Sequence, residues 1–241
     1  MSLQAMLRKL NTLVELSTAD TDTLLSLPYT VTDVRHHRDI LAVGERPDFV
    51  YVILSGWAAR YSRRADGSRR ITGLMLPGDF CGIHAVAGAA MEHAIVAVTN
   101  CEVGKIDKQA MEAAVQRSPA IGQALWRAKL IDEAILRVWL MNSQDAYQAM
   151  AHLLCELFER ARMAGLAEHN RFYVPLTQEA LGELLGITAV HTNRVMRRLQ
   201  DEELVDYAGK EFFIPDVAAL KAVSSFSPAY LHQFTKSVAP A

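Results

Sequence analysis

The segment from Leu176 to Leu199, LTQEALGELLGITAVHTNRVMRRL, constrains the fold of this chain more than any other. Thr177 is a good N-cap for a first helix from Gln178 to Leu185, and Thr188 is a good N-cap for a second. Gly186 lies between them and fits a sharp turn, because glycine accepts a positive φ without a Cβ clash. The segment therefore predicts two short helices joined by a tight turn.

The second helix has a polar face that is typical of a DNA recognition helix. Val195 and Leu199 fall on its apolar side, whereas Arg194 falls on the other. Such a helix presents its N-terminal residues to base edges in the major groove, where an arginine can form two hydrogen bonds with guanine. We therefore expect Ala189, Val190 and Arg194 to face the bases. The predicted DNA-contacting residues are Thr177, Thr188, Ala189, Val190, His191, Asn193, Arg194, Arg197 and Lys210.

A β-hairpin pattern follows from Leu204 to Pro215, with Lys210 in its turn. A hairpin in this place forms the wing of a winged helix, and its lysine could contact a phosphate. From Ser143 onward there are nine Lys or Arg against twelve Asp or Glu. This balance predicts modest non-specific affinity for DNA, because such affinity depends on positive charge. A helical hairpin with a solvated basic face is the alternative.

Between Val31 and Ile106 the sequence alternates short runs of β-branched and aromatic residues with turn signals. Asp66 and Gly67, for example, lie between two such runs and predict a hairpin. Many short strands at this spacing are typical of a small barrel or a jelly roll. We therefore predict a β-rich N-terminal domain.

A long helix is predicted from Pro119 to about Asn142, with Ser118 as its N-cap. Apolar residues recur along it with a period of seven, which is the pattern of a coiled-coil seam. The predicted seam consists of Ile121, Ala128, Ile131, Ile135 and Val138. The pattern favours a dimer interface over an ordinary core helix.

Composition and spacing exclude several classes of protein. No apolar run reaches the roughly 20 residues that span a bilayer, and the N-terminus lacks the pattern of a signal peptide, so we expect a cytoplasmic protein. Cys81, Cys101 and Cys155 are far apart, and no metal-ligand spacing is evident, so we predict buried thiols and no metal site. We also find no nucleophile–base pair and predict that the chain is not an enzyme.

The order of these elements resembles the CRP/FNR family of bacterial transcription regulators. The strongest motif is LTQEALGELLGITAVHTNRVMRRLQDEEL, and a second is YVILSGWAARY followed by LMLPGDFCG and CEVGKID. The resemblance covers nearly the whole chain and implies an α+β fold. Its expected parts are a jelly-roll-like β-roll of the cyclic-nucleotide-binding type (1–118), a dimerisation helix (119–142) and a winged helix-turn-helix (143–241).

The resemblance implies a homodimer that binds near-palindromic double-stranded DNA under the control of an effector. The alternative is a ligand-binding sensor whose winged helix mediates mainly protein contacts. Arg194 occupies the place of a base-contacting arginine that is common in the family. Val190 stands where many members have a base-contacting glutamate, so we do not carry over the family's preferred target sequence.

The effector domain departs further from the pattern of cyclic-AMP-binding members. Ile83 stands in place of their ribose-binding glutamate, and His93 and Ala94 stand in place of the Arg-Ser or Arg-Thr pair that binds the cyclic phosphate. A neutral histidine is a poor substitute for a bidentate arginine. We therefore predict an effector other than a cyclic nucleotide.

Two other cofactors of the family are not expected either. The oxygen-sensing branch holds an iron–sulfur cluster with N-terminal cysteines, and the first 80 residues contain no cysteine. The conceivable haem ligands are His36, His37, His84 and His93. A lone histidine is more often a surface or hydrogen-bonded residue, so we predict no haem.

Two further groups of residues are candidates for contacts with an effector or a partner. The first is the group of arginines around the Asp66-Gly67 turn, which could hold an anion or contact RNA polymerase, or form a solvated hairpin. Its members are Arg60, Arg63, Arg64, Arg69 and Arg70. The second is an apolar effector pocket, for which a filled barrel interior is the alternative. Its predicted lining is Met75, Ile83, His84, His93, Ala134 and Ile135.

Overall fold

The computed structural model describes residues 3–142 and 145–231. The strands of the N-terminal part are β1 (Tyr29–Val34), β2 (Asp39–Leu41), β3 (Phe49–Ser55), β4 (Ala58–Arg63), β5 (Arg69–Met75), β6 (Phe80–Cys81), β7 (Ala94–Ala97) and β8 (Cys101–Asp107). They form two antiparallel sheets, with strand orders β1-β8-β3-β6 and β2-β7-β4-β5. Ile53 of the first sheet and Ile95 of the second share one buried cluster. The two sheets therefore pack face to face, as the predicted β-roll requires.

Helices flank this β-roll and build most of the C-terminal part. They are α1 (Gln4–Asn11), α2 (Thr18–Leu25), α3 (His84–Ala87), α4 (Lys108–Arg117), α5 (Pro119–Met141), α6 (Ala146–Ala164), α7 (Gln178–Leu185), α8 (Ala189–Asp201) and α9 (Val217–Val223). The long helix α5 begins as predicted, because Pro119 is its first residue and the Ser118 hydroxyl accepts the Ile121 N–H at 3.3 Å. Among the described helices, none combines the length and apolar character needed to cross a membrane.

The buried face of α5 contacts a different surface from the one predicted. Four of the predicted seam residues are at most 5% exposed and belong to the main hydrophobic core of the chain: Ile121, Ala128, Ile131 and Ile135. Because α5 packs there against α1, α4 and β5, these residues are covered within one protomer. The prediction of these four residues as a dimer seam is wrong. Val138, the fifth predicted seam residue, is half-buried. An apolar period shows that a helix face is covered, but it does not identify the covering surface.

A third sheet lies in the C-terminal part and consists of β9 (Ala167–Glu168), β10 (Arg171–Tyr173), β11 (Asp206–Ala208) and β12 (Glu211–Phe213). The predicted wing hairpin is confirmed as β11 and β12, and β12 also pairs with β10. Strand β9 pairs with β10 at the edge of this sheet. Its turn to β10 contains His169 and Asn170, which have φ values of 48° and 61°. Histidine in a turn with positive φ is a weaker hairpin signal than Asn-Gly, so the pattern did not reveal β9.

The three cysteines are buried thiols, as predicted. Burial raises the pKa of Cys81 to about 12 and that of Cys155 to about 11. Neither thiol is therefore ionised near neutral pH, and both pack as small apolar side chains.

A buried ionic network joins the C-terminal helices to the β-roll. Arg160 of α6 donates to the Asp79 carboxylate at 3.2 Å and to the Leu74 carbonyl at 2.6 Å, both in the β-roll. It also donates to Glu156 of its own helix at 3.2 Å. Glu156 is 0% exposed and Asp79 is 6% exposed, so these charges interact away from water. Lys9 of α1 pairs with the other Asp79 oxygen, and the network thus fixes α6 against both α1 and the β-roll.

Candidate nucleic-acid interface

The two helices α7 and α8 form the predicted helix-turn-helix, and both begin at the predicted caps. The Thr177 hydroxyl accepts the Ala180 N–H at 3.1 Å, and the Thr188 hydroxyl accepts the His191 N–H at 3.2 Å. Gly186 follows α7 with a φ of 73°, a left-handed conformation that glycine adopts without Cβ strain. The local signals in the sequence therefore produce the expected turn.

Gly182 contributes to this motif in a way that the sequence analysis missed. A Cβ at this position would lie 2.6 Å from the Ile187 carbonyl oxygen and 3.2 Å from Thr192 Oγ1. Only a residue without a side chain allows α7 to approach the start of α8 so closely. A glycine inside an otherwise apolar helix was the available signal, since such glycines often mark close backbone approach.

Helix α8 presents a polar face to solvent and an apolar face to the core. Val195 and Leu199 are at most 5% exposed, whereas Val190 is 74% exposed. The other exposed residues of the predicted set on this helix are Ala189, His191, Arg194 and Arg197. Arg194 and Arg197 form no hydrogen bond or ion pair with any other residue that the structure describes. Their guanidinium groups therefore remain available for an external acceptor.

The side chain of Asn193 is hydrogen-bonded within the protein and is not free on the exposed face. Its side-chain amide donates to Gln178 Oε1 at 2.9 Å, and the residue is half-buried. This bond connects α8 to the first turn of α7. The prediction that Asn193 contacts DNA stays a prediction, and such a contact would have to share or break the bond to Gln178.

Thr177 and Lys210 belong to other elements than α8, namely the N-cap of α7 and the turn of the wing hairpin. Both line a crevice of about 230 Å³ between the winged helix and the β-roll. His36 and His37, which stack with ring centroids 3.5 Å apart, form part of its opposite wall. In this arrangement the wing turn borders the β-roll as well as solvent.

The acidic run Asp201 to Glu203, at the end of the recognition helix, is partly neutralised. Arg198 Nε donates to Glu202 at 2.8 Å, and its guanidinium lies 4.0 Å from the centre of the Tyr147 ring. The Tyr147 hydroxyl donates to the same Glu202 carboxylate. Glu202 thus points toward Arg198 and Tyr147. Arg198 is bonded within this cluster and is not available for DNA in the way that Arg194 and Arg197 are.

The arginines of the β4–β5 hairpin are directed largely at the chain itself. Arg60 donates to Asp132 of α5 at 2.6 Å, and Arg69 pairs with Glu183 of α7 at 3.2 Å. The Arg70 guanidinium lies against Gly186, at the turn of the helix-turn-helix. These contacts support neither an open anion site nor a wholly solvated hairpin. They fasten the hairpin to α5 and to the DNA-binding motif.

The predicted effector pocket is not one continuous cavity. Met75 is 0% exposed within the cluster of side chains between the two sheets, as the filled-barrel alternative expects. Ile135 lines a separate small cavity of about 30 Å³, beside Asp132 and Arg160. That volume is enough for about one water molecule. His84 and His93, by contrast, do come together, with ring centroids 5.7 Å apart.

A carboxylate lies between these two histidines. Glu92 accepts hydrogen bonds from His84 Nε2 and His93 Nδ1, each at 2.7 Å. Burial opposes ionisation of Glu92, but bonds from its own backbone N–H and from both imidazoles lower its pKa to about 2. Burial lowers the pKa of His93. Near neutral pH the cluster therefore carries a negative carboxylate and a neutral His93.

This charge arrangement does not fit a cyclic nucleotide. The cyclic phosphate would have to lie near His93, where Glu92 would repel it. Arg60, a cation that influences His93, is already paired with Asp132 at 2.6 Å. Ile83 cannot accept a hydrogen bond from a ribose hydroxyl. That the effector is not a cyclic nucleotide stays a prediction.

Comparison with known proteins places this arrangement in one class. Residues 32–118 match the family model of the cyclic nucleotide-binding domain, and residues 148–223 match that of the Crp-like helix-turn-helix domain. A β-roll followed by a long helix and this type of DNA-binding domain defines a class of transcription regulators in which both domains lie in one polypeptide. The chain belongs to the CRP/FNR family of such regulators, as the sequence resemblance predicted. The prediction that it is not an enzyme is confirmed by this membership.

Individual relatives agree with the family match. The chain is 26% identical over 196 residues to the transcriptional activator protein FnrL of Cereibacter sphaeroides, covering 77% of this chain and 78% of the relative. It is 28% identical over 195 residues to the transcriptional activator protein Anr of Pseudomonas protegens, covering 76% of both chains. The structure of FixK2 from Bradyrhizobium japonicum has a TM-score of 0.72 at 20% identity and covers 83% of this chain and 100% of its own, which shows a shared fold.

Proposed function

We propose that this DNA-binding transcription regulator acts as a homodimer and contacts bases with Arg194. The observation that carries the proposal is the exposed face of α8, on which the guanidinium groups of Arg194 and Arg197 lack partners within the described chain. An unpaired guanidinium at the surface is hydrogen-bonded by water until a ligand replaces that water. Guanine offers Arg194 two hydrogen-bond acceptors in the major groove. The proposal places the protein in the cytoplasm, where bacterial DNA lies.

The dimer seam that we propose lies on the solvent side of α5. Trp126 is 69% exposed, Leu130 is 39% exposed and Leu140 is 72% exposed. Together with Glu133 and Arg137, which pair at 3.2 Å, they follow one another at alternating intervals of four and three residues. This is the spacing of a coiled-coil stripe, and large apolar side chains exposed on one helix face mark an interaction surface.

The length of α5 agrees with a symmetric dimer on DNA. Its 23 residues span roughly 35 Å at 1.5 Å per residue. Two recognition helices related by a two-fold axis enter successive major grooves about 34–36 Å apart. A near-palindromic site is the expected target, because a two-fold dimer presents the same surface twice.

The seam can be tested by measuring molar mass in solution. We expect a dimer for the unchanged chain and a monomer for the Trp126→Glu/Leu130→Glu variant, because four carboxylates would meet across the two-fold axis. Val43→Glu changes an apolar residue that is 61% exposed outside α5 and should leave the dimer intact. A dimer that survives both glutamates on α5 would place the interface elsewhere.

DNA recognition can be tested on a duplex selected from random sequences by the unchanged protein. Arg194→Ala should reduce the preference for this duplex over random DNA by about 5- to 150-fold, the equivalent of ~1–3 kcal/mol for a bidentate base contact. Arg197→Ala should weaken both duplexes equally, and exposed Arg8 provides the Arg8→Ala control. Equal losses on both duplexes for Arg194→Ala would contradict its role. Failure to enrich any sequence would favour a sensor whose winged helix contacts proteins.

We further propose that an effector other than a cyclic nucleotide controls DNA affinity. The support is the bond from Arg69 to Glu183 and the position of Arg70 against Gly186. Through these contacts, a shift of the β4–β5 hairpin is transmitted directly to the first helix of the DNA-binding motif. RNA polymerase remains a proposed partner, to which no particular surface is assigned.

A further inference from the structure

A compact set of metal-ligand side chains lies at one edge of the β-roll, on α3 and just before β7. It consists of His84, Glu92 and His93, whose donor atoms all lie within 4.8 Å of one another. Two imidazole nitrogens and a carboxylate oxygen are a common ligand set for zinc and for other divalent transition metals. The spacing of these residues in the sequence matches no familiar metal motif, so the sequence alone does not indicate the site.

The geometry requires little movement to hold an ion. Each imidazole is 2.7 Å from a Glu92 oxygen, which is a hydrogen-bond distance. Ligand atoms about 2.1 Å from a tetrahedral ion lie about 3.4 Å apart. An ion that replaced the two N–H protons would therefore displace each donor by less than about 1 Å.

Hydrogen bonds to the described residues occupy only one of the two ring nitrogens of His84. His84 Nδ1 is buried and has no hydrogen-bond partner among the described residues, although Nε2 bonds to Glu92. A histidine with a purely structural role usually satisfies both ring nitrogens when it is buried. The side chains of His84 and His93 are only 18% and 16% exposed, so the protein fixes both rings close to the carboxylate.

The surrounding charges also permit a cation. Arg60 is the positive group that faces His93, but Asp132 neutralises it at 2.6 Å. Glu92 is 71% exposed at its side chain, and this leaves one side of the cluster open to solvent. A bound ion would therefore keep a coordination position for water or a small anion, as open zinc sites do.

We propose that His84, Glu92 and His93 bind a divalent transition-metal ion, with Zn²⁺ as the best match to the donor set. The site lies at one edge of the β-roll and connects α3 to the start of β7. Because Arg60 extends from beside His93 to Asp132 of α5, an ion here would act next to the link between the β-roll and the long helix. Its role as the effector rests on the proposed function, whereas its existence as a binding site does not.

The experiment titrates the full-length protein, freed of metal with a chelator, with Co²⁺ and then with Zn²⁺. We expect visible d–d absorption from tetrahedral Co²⁺, displacement of Co²⁺ by Zn²⁺, and about one ion bound per protomer. His84→Gln and His93→Gln should each weaken binding by more than about 100-fold, since even residues that only orient metal ligands contribute 10–100-fold. Glu92→Gln should do the same.

His36→Gln is the matched control, because it makes the same change at an exposed histidine of the β-roll. It should retain the cobalt spectrum and the affinity of the unchanged protein. Circular dichroism of every variant verifies that the fold persists. Equal metal affinity in His84→Gln, His93→Gln and the unchanged protein would overturn the site, and so would the absence of any Co²⁺ spectrum.

A second measurement separates the site from its effect on DNA. Affinity for the selected duplex is compared with and without Zn²⁺, in the unchanged protein and in His93→Gln. A change in affinity that only the unchanged protein shows supports the effector role. Zinc binding without such a change overturns the effector role, but the metal site itself stands. Zinc binding by a protein that selects no DNA overturns the proposed function and not the metal site.

Discussion

Removal of Arg160 should destabilise the protein more than any surface change. Its guanidinium is the shared partner of Glu156 and Asp79, which are 0% and 6% exposed. In Arg160→Ala both carboxylates lose a cation at 3.2 Å, and the Leu74 carbonyl loses a donor at 2.6 Å. The network also holds α6 on the β-roll, so its loss affects the relation between the two halves of the chain.

The expected magnitude follows from the groups that would be left behind. Breaking a buried ion pair by removing one partner costs about 3–5 kcal/mol, because the other charge remains out of water without compensation. Asp79 keeps Lys9 and the Leu76 N–H, and Glu156 keeps the Trp139 indole N–H at 2.9 Å. These remaining partners favour the lower end of the range, and we expect a loss of about 3 kcal/mol.

The assay is urea unfolding at fixed protein concentration, monitored by circular dichroism, with the free energy of unfolding extrapolated to water. Arg162→Ala is the matched control, since Arg162 is on the same helix and pairs with Glu159 at 2.9 Å, but its side chain is 57% exposed. Glu159 is itself buried, but it keeps Lys221 at 2.6 Å when Arg162 is removed, so we expect a loss of only about 0–1 kcal/mol. A loss below about 1 kcal/mol for Arg160→Ala, or equal losses for both variants, would refute the reasoning.

Two further predictions concern pH and the turn of the helix-turn-helix. Burial lowers the pKa of His152 from 6.5 to about 4, so the unfolded chain takes up a proton that the native state refuses. The free energy of unfolding should therefore fall by up to about 3 kcal/mol as the pH is lowered from about 6.5 to 4. His152→Phe should flatten this part of the plot of unfolding free energy against pH, measured by urea unfolding. An unchanged slope in the variant would disprove the prediction. Gly186→Ala should be more destabilising than Gly209→Ala in thermal unfolding, because both glycines have positive φ but only Gly186 has Arg70 against it. Equal melting temperatures for the two alanine variants would show that Arg70 moves aside at no cost.

Local features of the fold could be predicted because their causes are local. A threonine hydroxyl caps a helix through the N–H two or three residues ahead, and a glycine supplies a left-handed residue wherever it stands. Thr177, Gly186 and Thr188 therefore indicated the helix-turn-helix correctly, and Ser118 with Pro119 indicated the start of α5. The exposed position of Arg194 also follows from the period of a helix whose opposite face is apolar.

Interactions between distant segments could not be predicted in the same way. The apolar period of α5 correctly indicated a covered face, but only tertiary structure showed that Ile131 and Ile135 are covered by the same chain, while Trp126 and Leu130 are exposed. Asn193 looked free because its partner is 15 residues earlier, on the other helix. In each case the partner is chosen by how the elements pack.

The sequence by itself determined where the helix-turn-helix, the wing hairpin and the start of α5 lie, and which face of the recognition helix is polar. The tertiary structure alone decided which charges and ligands meet: Arg160 with Asp79, Arg69 with Glu183, and His84 with Glu92 and His93. The physical reason is the range of the forces. Caps and periodicity act over a few residues of chain, whereas ion pairs and metal ligands require a few ångströms in space, and that separation depends on the packing of the whole fold.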